Sequence, residues 1–191
     1  SVSGDINEAT LKTLLGAAFD AIPATKPPAP PNVTRLGSPG IHVVPMPVPQ
    51  PTVEFGLPGI LRADKDFIPA YVANYILGGG GFSSQLMKEV REKRGLTYGI
   101  DTDLNTYSKA GVFVGQVATK KNSVKQTIDV IRQVMSNFAE KGATASELTD
   151  AKTYPTGSYP LAFDSNTGIA AQLNAFQRVG LSSDYITKRN D

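Results

Sequence analysis

Between Gly78 and Ile100 the chain reads GGGGFSSQLMKEVREKRGLTYGI, and this one stretch carries most of the groups suited to chemistry. Four glycines, Gly78, Gly79, Gly80 and Gly81, lead into a segment with six charged residues, and Tyr98 follows it. Arginine supplies a permanent, planar cation and tyrosine a phenolic donor. Elsewhere the supply is thin. The single histidine, His42, lies in IHVVPM with no second histidine to share a metal, and the chain has no cysteine. Disulfides, a thiolate cage and a cysteine nucleophile are therefore excluded, and a zinc site built within this chain lacks its usual ligands.

The glycine run invites a phosphate-loop reading, which its flanks reject. A P-loop needs lysine and then serine or threonine after its glycines, whereas FSSQL follows here. A dinucleotide fingerprint needs a strand before its glycines, and the residues preceding Gly78 read as helix. Two readings stand: a helix C-cap running into a mobile connection, or a segment that lets another backbone approach closely.

At helical spacing Leu86, Met87 and Val90 form the buried stripe of the segment that follows. Glu89 is spaced to pair with Lys93, and Lys88 with Glu92. Arg91 and Arg94 are left without an acidic neighbour. Arg91 is either a surface cation balancing the helix dipole or a guanidinium reserved for a carbonyl, a carboxylate or another chain. Tyr98 alternates with Ile100 and Leu104, so it is either a packed strand tyrosine or a functional phenol.

The elements positioning these groups follow from periodicity. Residues 7 to 22 place Leu11, Leu14, Leu15, Ala18, Phe19 and Ile22 on one helical face, with Asn7 or Asp5 as the cap. Ten of the fourteen prolines fall between Pro23 and Pro51, which reads as an extended linker. A second domain is expected to start near Arg35. IHVVPMPVPQPTVEFGLPGI reads as two strands around a proline-alternating connection, the first confined to an edge. DKDFIPAYVANYILGG reads as a helix, and Ser83 or Ser84 as the cap of the next, which Gly95 stops. LTYGIDTDLNTY and AGVFVGQVATK read as a hairpin. SVKQTIDVIRQVMSNFAEKG reads as an amphipathic helix ended by Gly142. Two weaker helices follow, one from about Ala145 interrupted by Pro155, the other from about Asn166 to Val179. The tail, SSDYITKRND, reads as polar and without closing structure. The fold class expected is α+β, two-layered, with an antiparallel or mixed sheet and helices on one face.

The 191 residues suffice for one well-buried domain plus an appendage. Nineteen basic residues against seventeen acidic ones give +2, with no sustained basic block to mark a nucleic-acid partner. No apolar run approaches the ~20 residues of a membrane span. The opening SVSGDINEAT reads as the middle of a longer protein.

LGGGGFSSQLMKEVREKRGLTYGI resembles the pitrilysin/insulinase family of inverzincin peptidases, the group that includes the mitochondrial processing peptidase and bacterial zinc proteases. The likeness is to the C-terminal, non-zinc half. It implies that residues 1–22 are the last strand and helix of the preceding half, 23–40 the linker, and 41–191 the C-terminal domain, truncated at its end. It further implies that Arg91 and Tyr98, seven positions apart in VREKRGLTYG, reach the scissile carbonyl of an extended or unfolded peptide. Gly78, Gly79, Gly80 and Gly81 are similar to a substrate-contacting glycine loop of the processing peptidase's non-zinc subunit. The chain lacks H-x-x-E-H. The resemblance thus places zinc in a complementary half, on the same full-length chain or on a partner subunit, with no cofactor bound here and no activity in isolation. Its alternative is a non-catalytic partner or structural subunit, like the inactive core subunits of a respiratory complex. Bacterial relatives of this type are often exported, which points to the periplasm.

Overall fold

A computed structural model describes residues 1–25, 27–31, 33 and 37–190. Its α-helices are α1 (Glu8–Phe19), α2 (Phe67–Asn74), α3 (Val124–Lys141), α4 (Ala145–Ser158), α5 (Asn166–Arg178) and α6 (Tyr185–Lys188). Its strands are β1 (Thr52–Pro58), β2 (Ile100–Thr106) and β3 (Gly111–Ala118). Packing divides the chain into two units, Asn32–Tyr154 and the combination of Ser1–Pro31 with Pro155–Asp191. The expected domain start near Arg35 lies outside the described residues.

In the larger unit the sheet is antiparallel with order β1-β3-β2. Its register sets Val53, Val117 and Ile100 in one row and Phe55, Gly115 and Thr102 in the next. Because side chains alternate along a strand, these rows share one face. On it lies the core, where Ile100 and Val117 pack with Leu77, Leu86, Val90, Leu96 and the α3 residues Val130, Ile131 and Val134. Leu86 and Val90 are fully buried, and each contributes about 1.5–3 kcal/mol relative to an exposed side chain. Gly115 is required in its row, since a Cβ there would lie 2.2 Å from the Phe55 ring.

α3 and the helical segment carrying Leu86 and Val90 cover that one face, as the α+β class requires. The expected hairpin is present, with Tyr107 N–H donating to the Ala110 carbonyl at 2.8 Å across the turn. The amphipathic helix is α3, and Gly142 ends it at φ 69°. Its buried stripe is Thr127, Val130, Ile131 and Val134, with Met135 and Phe138 at the margin.

Three expectations need correction. Residues 41–44 form no strand, and Ile41, Val43 and Val44 are exposed. Residues 41–44 keep their N–H donors, but among the described residues no strand edge is paired with them, and strand propensity without a partner builds no ladder. Pro155 does not interrupt α4, which runs on to Ser158. Its missing N–H costs one intrahelical bond, the one to the Ala151 carbonyl, and the helix ends three residues later. The tail does fold locally, since Tyr185–Lys188 is a helical turn beginning at Asp184.

In the other unit, Asn7 caps α1 by accepting from Thr10 N–H at 2.9 Å. Ser165 caps α5 by accepting from Gly168 N–H at 3.1 Å, and buried Phe176 meets Tyr185 edge-on at 5.3 Å. The α1 helix buries no side chain, and Leu14, Phe19 and Ile22 are exposed. No helix among the described residues is long and apolar enough to cross a membrane.

Candidate functional site

The glycine run finishes one helix and begins the next. Beyond α2, Tyr75–Gly79 winds as a π-helix, and Gly80 N–H reaches back five residues to the Tyr75 carbonyl at 2.8 Å. Glycine is required for three of these positions by contact. A Cβ on Gly78 would lie 2.3 Å from Thr102 Oγ1, one on Gly79 2.7 Å from Asn74 Nδ2, and one on Gly80 2.6 Å from the Tyr75 carbonyl oxygen. Gly81 differs: its surroundings are open, and its φ of 57° is what excludes other residues. Of the two readings of the run, close approach between helix and strand is the one its packing displays.

From Gly81 a 3₁₀ turn, Gly81–Ser83, leads into the charged helix. Ser84 is the cap. Its Oγ donates to the Gly81 carbonyl at 2.7 Å and accepts from Met87 N–H at 3.4 Å. Met87–Glu92 is π-wound, and Lys93 N–H donates to the Lys88 carbonyl at 3.0 Å. Gly95 ends it at φ 61°. Gly95 N–H returns to the Arg91 carbonyl at 2.8 Å and Leu96 N–H to the Val90 carbonyl at 3.0 Å, satisfying two terminal carbonyls.

This winding changes the charge pairing. Glu89 pairs with Lys93 at 2.6 Å as expected, and it also takes Arg94 at 2.6 Å, five residues away. An i→i+5 turn carries residue 94 over residue 89, a relation invisible to i,i+4 reasoning. Arg94 is therefore not left over. The hydrogen bonds from Lys93 and then Arg94 hold the Glu89 carboxyl below its ordinary range. The expected Lys88–Glu92 pair does not form among the described residues. Lys88 instead adds a favourable charge near Glu147. Burial raises the Glu147 pKa, but Thr144 N–H, the Gln85 amide and the Thr144 hydroxyl outweigh it, leaving the group lowered.

Arg91 has no ion pair or side-chain hydrogen bond among the described residues; its guanidinium lies over the Phe82 ring, 4.5 Å from the centroid. Tyr98 precedes β2 instead of lying on its inner face, and at 84 % exposure it is no core residue. The turn that carries it is fixed. Thr97 Oγ1 donates to the Ala118 carbonyl at 2.7 Å, and Thr119 Oγ1 to the Leu96 carbonyl at 2.6 Å. Arg91 and Tyr98 thus flank one braced turn, each with its donors uncommitted to any side chain.

The sheet face opposite the core forms a shallow hollow of about 470 Å³, lined by Glu54, Gly56, Asp101, Asp103, Val114 and Gln116. The alternation in IDTDLNT points Asp101 and Asp103 outward, but only the register sets Glu54 and Asp101 on either side of Gln116. Phe82 had no signal at all, being a lone aromatic between glycines and serines. Among the described residues no group of three or more His, Cys, Asp or Glu side chains is placed to hold a metal ion, and His42 is exposed. The described residues do not fit a zinc site.

Residues 1–154 match the family described as the peptidase M16 inactive domain. A non-peptidase homolog of Helicobacter pylori is 35 % identical over 127 residues, 65 % of this chain and 28 % of that protein. An uncharacterised zinc protease of Streptomyces coelicolor is 29 % identical over 171 residues, 86 % of this chain and 37 % of that one. The match therefore spans between 28 % and 37 % of the length of these relatives. The crystal structure of a peptidase M16 inactive domain from Pseudomonas fluorescens superposes with a TM-score of 0.68 at 35 % identity, covering 75 % of this chain and 34 % of that one. With a family match over residues 1–154 and a helix-covered antiparallel sheet, this chain belongs to the peptidase M16 inactive-domain family.

Proposed function

We propose that the chain is the substrate-clamping, non-zinc half of a zinc-dependent metalloendopeptidase, with Arg91 and Tyr98 contacting the scissile carbonyl. The observation that carries this reading is the pair itself: a guanidinium without a counter-ion among the described residues and an exposed phenol flank one braced turn. Peptide hydrolysis gathers negative charge on the carbonyl oxygen. A fixed cation and a hydroxyl donor at that oxygen are stronger partners for the transition state than for the ground state. Zinc belongs in this reading to the complementary half, in cis or on a partner subunit. Gly78–Gly81 flank the peptide path, and the boundaries 1–22, 23–40 and 41–191 describe the end of one half, the linker and the next half.

The test combines the full-length protein with its zinc-bearing half and follows cleavage of an unfolded peptide. Arg91→Ala and Tyr98→Phe are each expected to lower kcat/KM by about a hundredfold or more, equivalent to ~2.7–4 kcal/mol of lost transition-state stabilisation. Wild-type kcat/KM in both variants would overturn the assignment. A second reading, a non-catalytic partner subunit, is favoured by the non-peptidase name of the Helicobacter pylori relative, and it is the reading in which both variants retain full cleavage.

A further inference from the structure

We propose that Phe82 is the positioning residue for Arg91, and that the glycine run serves as the rigid bracket holding its ring in place. The inference rests on the reading of Arg91 given above and goes beyond it by naming what orients the guanidinium.

An arginine side chain has many rotamers, so a solitary surface arginine is poorly aimed. Arg91 is not solitary, since its guanidinium carbon stands 4.5 Å above the centre of the Phe82 ring. A ring beneath the guanidinium holds it without a carboxylate, so its N–H groups are not used up in an ion pair. A carboxylate partner would have used those same donors. An aromatic platform is thus the restraint that fixes direction while keeping the hydrogen-bonding capacity available.

Phe82 has little other structural purpose. Its side chain is 60 % exposed, and among the described residues its only ring contact is Arg91. Both sides of it are anchored. Gly78, Gly79 and Gly80 sit too close to Thr102, Asn74 and Tyr75 for any larger residue. Ser84 ties back to the Gly81 carbonyl through its N–H at 3.0 Å and its Oγ at 2.7 Å. The left-handed turn at Gly81 then sets where the ring emerges.

Three variants of the protein, assembled with its zinc-bearing half, test the idea: Phe82→Leu, Phe82→Tyr and Phe82→Leu combined with Arg91→Ala. Leucine keeps an apolar side chain but removes the ring. Phe82→Leu is expected to lower kcat/KM about two- to fivefold, the range of an exposed cation–π contact, with unchanged thermal stability. Phe82→Tyr is expected to restore wild-type activity, and Phe82→Leu is expected to add nothing in the Arg91→Ala background. An independent readout uses NMR of the chain itself. The Arg91 Cδ protons should be shifted upfield by the Phe82 ring current in wild type and Phe82→Tyr, and should return to ordinary values in Phe82→Leu. Wild-type activity in Phe82→Leu, an undiminished loss when it is added to Arg91→Ala, or unshifted Arg91 protons in the wild type would each overturn the Phe82 assignment alone. Wild-type activity in Arg91→Ala would instead sink the carbonyl-contact reading, and this proposal with it.

Discussion

Asn74 and Thr102 grip each other at two points: the Asn74 amide donates to the Thr102 carbonyl at 3.1 Å, and the Thr102 hydroxyl donates to Asn74 Oδ1 at 2.7 Å. Both residues are buried, and they tie the end of α2 to the middle of β2. Since β2 pairs with β3 on its other side, the amide stands in for a missing strand at that carbonyl. Replacing Asn74 by alanine leaves the Thr102 carbonyl without its partner, and a buried orphan costs about 1–3 kcal/mol. Chemical denaturation should show that loss with an unchanged m-value, whereas a variant as stable as wild type would contradict the bracing role.

Gly78 against Thr102 gives a second expectation. In a helix, alanine in place of glycine ordinarily gains up to about 1 kcal/mol. Here the added Cβ would stand 2.3 Å from Thr102 Oγ1 and 2.8 Å from Cγ2, both on a buried side chain. Overpacking of this kind costs about 1–3 kcal/mol, so the clash wins. Gly78→Ala should melt below wild type, and trimming Thr102 to alanine in the same protein should recover part of the difference.

Glu89 predicts an acid limb. Its carboxyl is lowered by the hydrogen bonds from Lys93 and Arg94, so the folded protein binds that proton less readily than the unfolded chain. The contribution is therefore complete above the ordinary glutamate range and is lost as pH falls through the lowered value. With Lys93 largely exposed and Arg94 partly so, solvent screening keeps it to about 0.5–1 kcal/mol. Glu89→Gln should lower stability by that amount at pH 7 and match wild type near pH 2. Equal stability at pH 7 would remove the pairing from the account.

Zinc titration gives a fourth expectation. With a lone exposed histidine and no cluster of ligands among the described residues, the chain should bind no stoichiometric zinc by calorimetry at neutral pH. A one-to-one complex would contradict the placement of the metal in the complementary half.

Local order was legible wherever neighbours along the chain decide it. Period-two alternation marks β1, β2 and β3, and the 3.6-residue stripe marks α3. The stop signals at Gly95 and Gly142 and the cap at Asn7 depend on a few adjacent dihedrals and hydrogen bonds. Composition alone removed thiolate and disulfide chemistry. What the residue order left open was every relation carried through space. The turn that brings Arg94 over Glu89 depends on a helix winding that no i,i+4 count contains. The four glycines read equally well as slack or as close approach until Thr102 is found 2.3 Å from a Cβ that Gly78 does not have. The apolar residues 41–44 carry strand propensity, yet a strand exists only where a partner offers its edge, and among the described residues none does. Arg91 was set apart by its spacing, but its partner Phe82 emerged only from tertiary packing, because stacking depends on where two turns meet and leaves no period in the sequence.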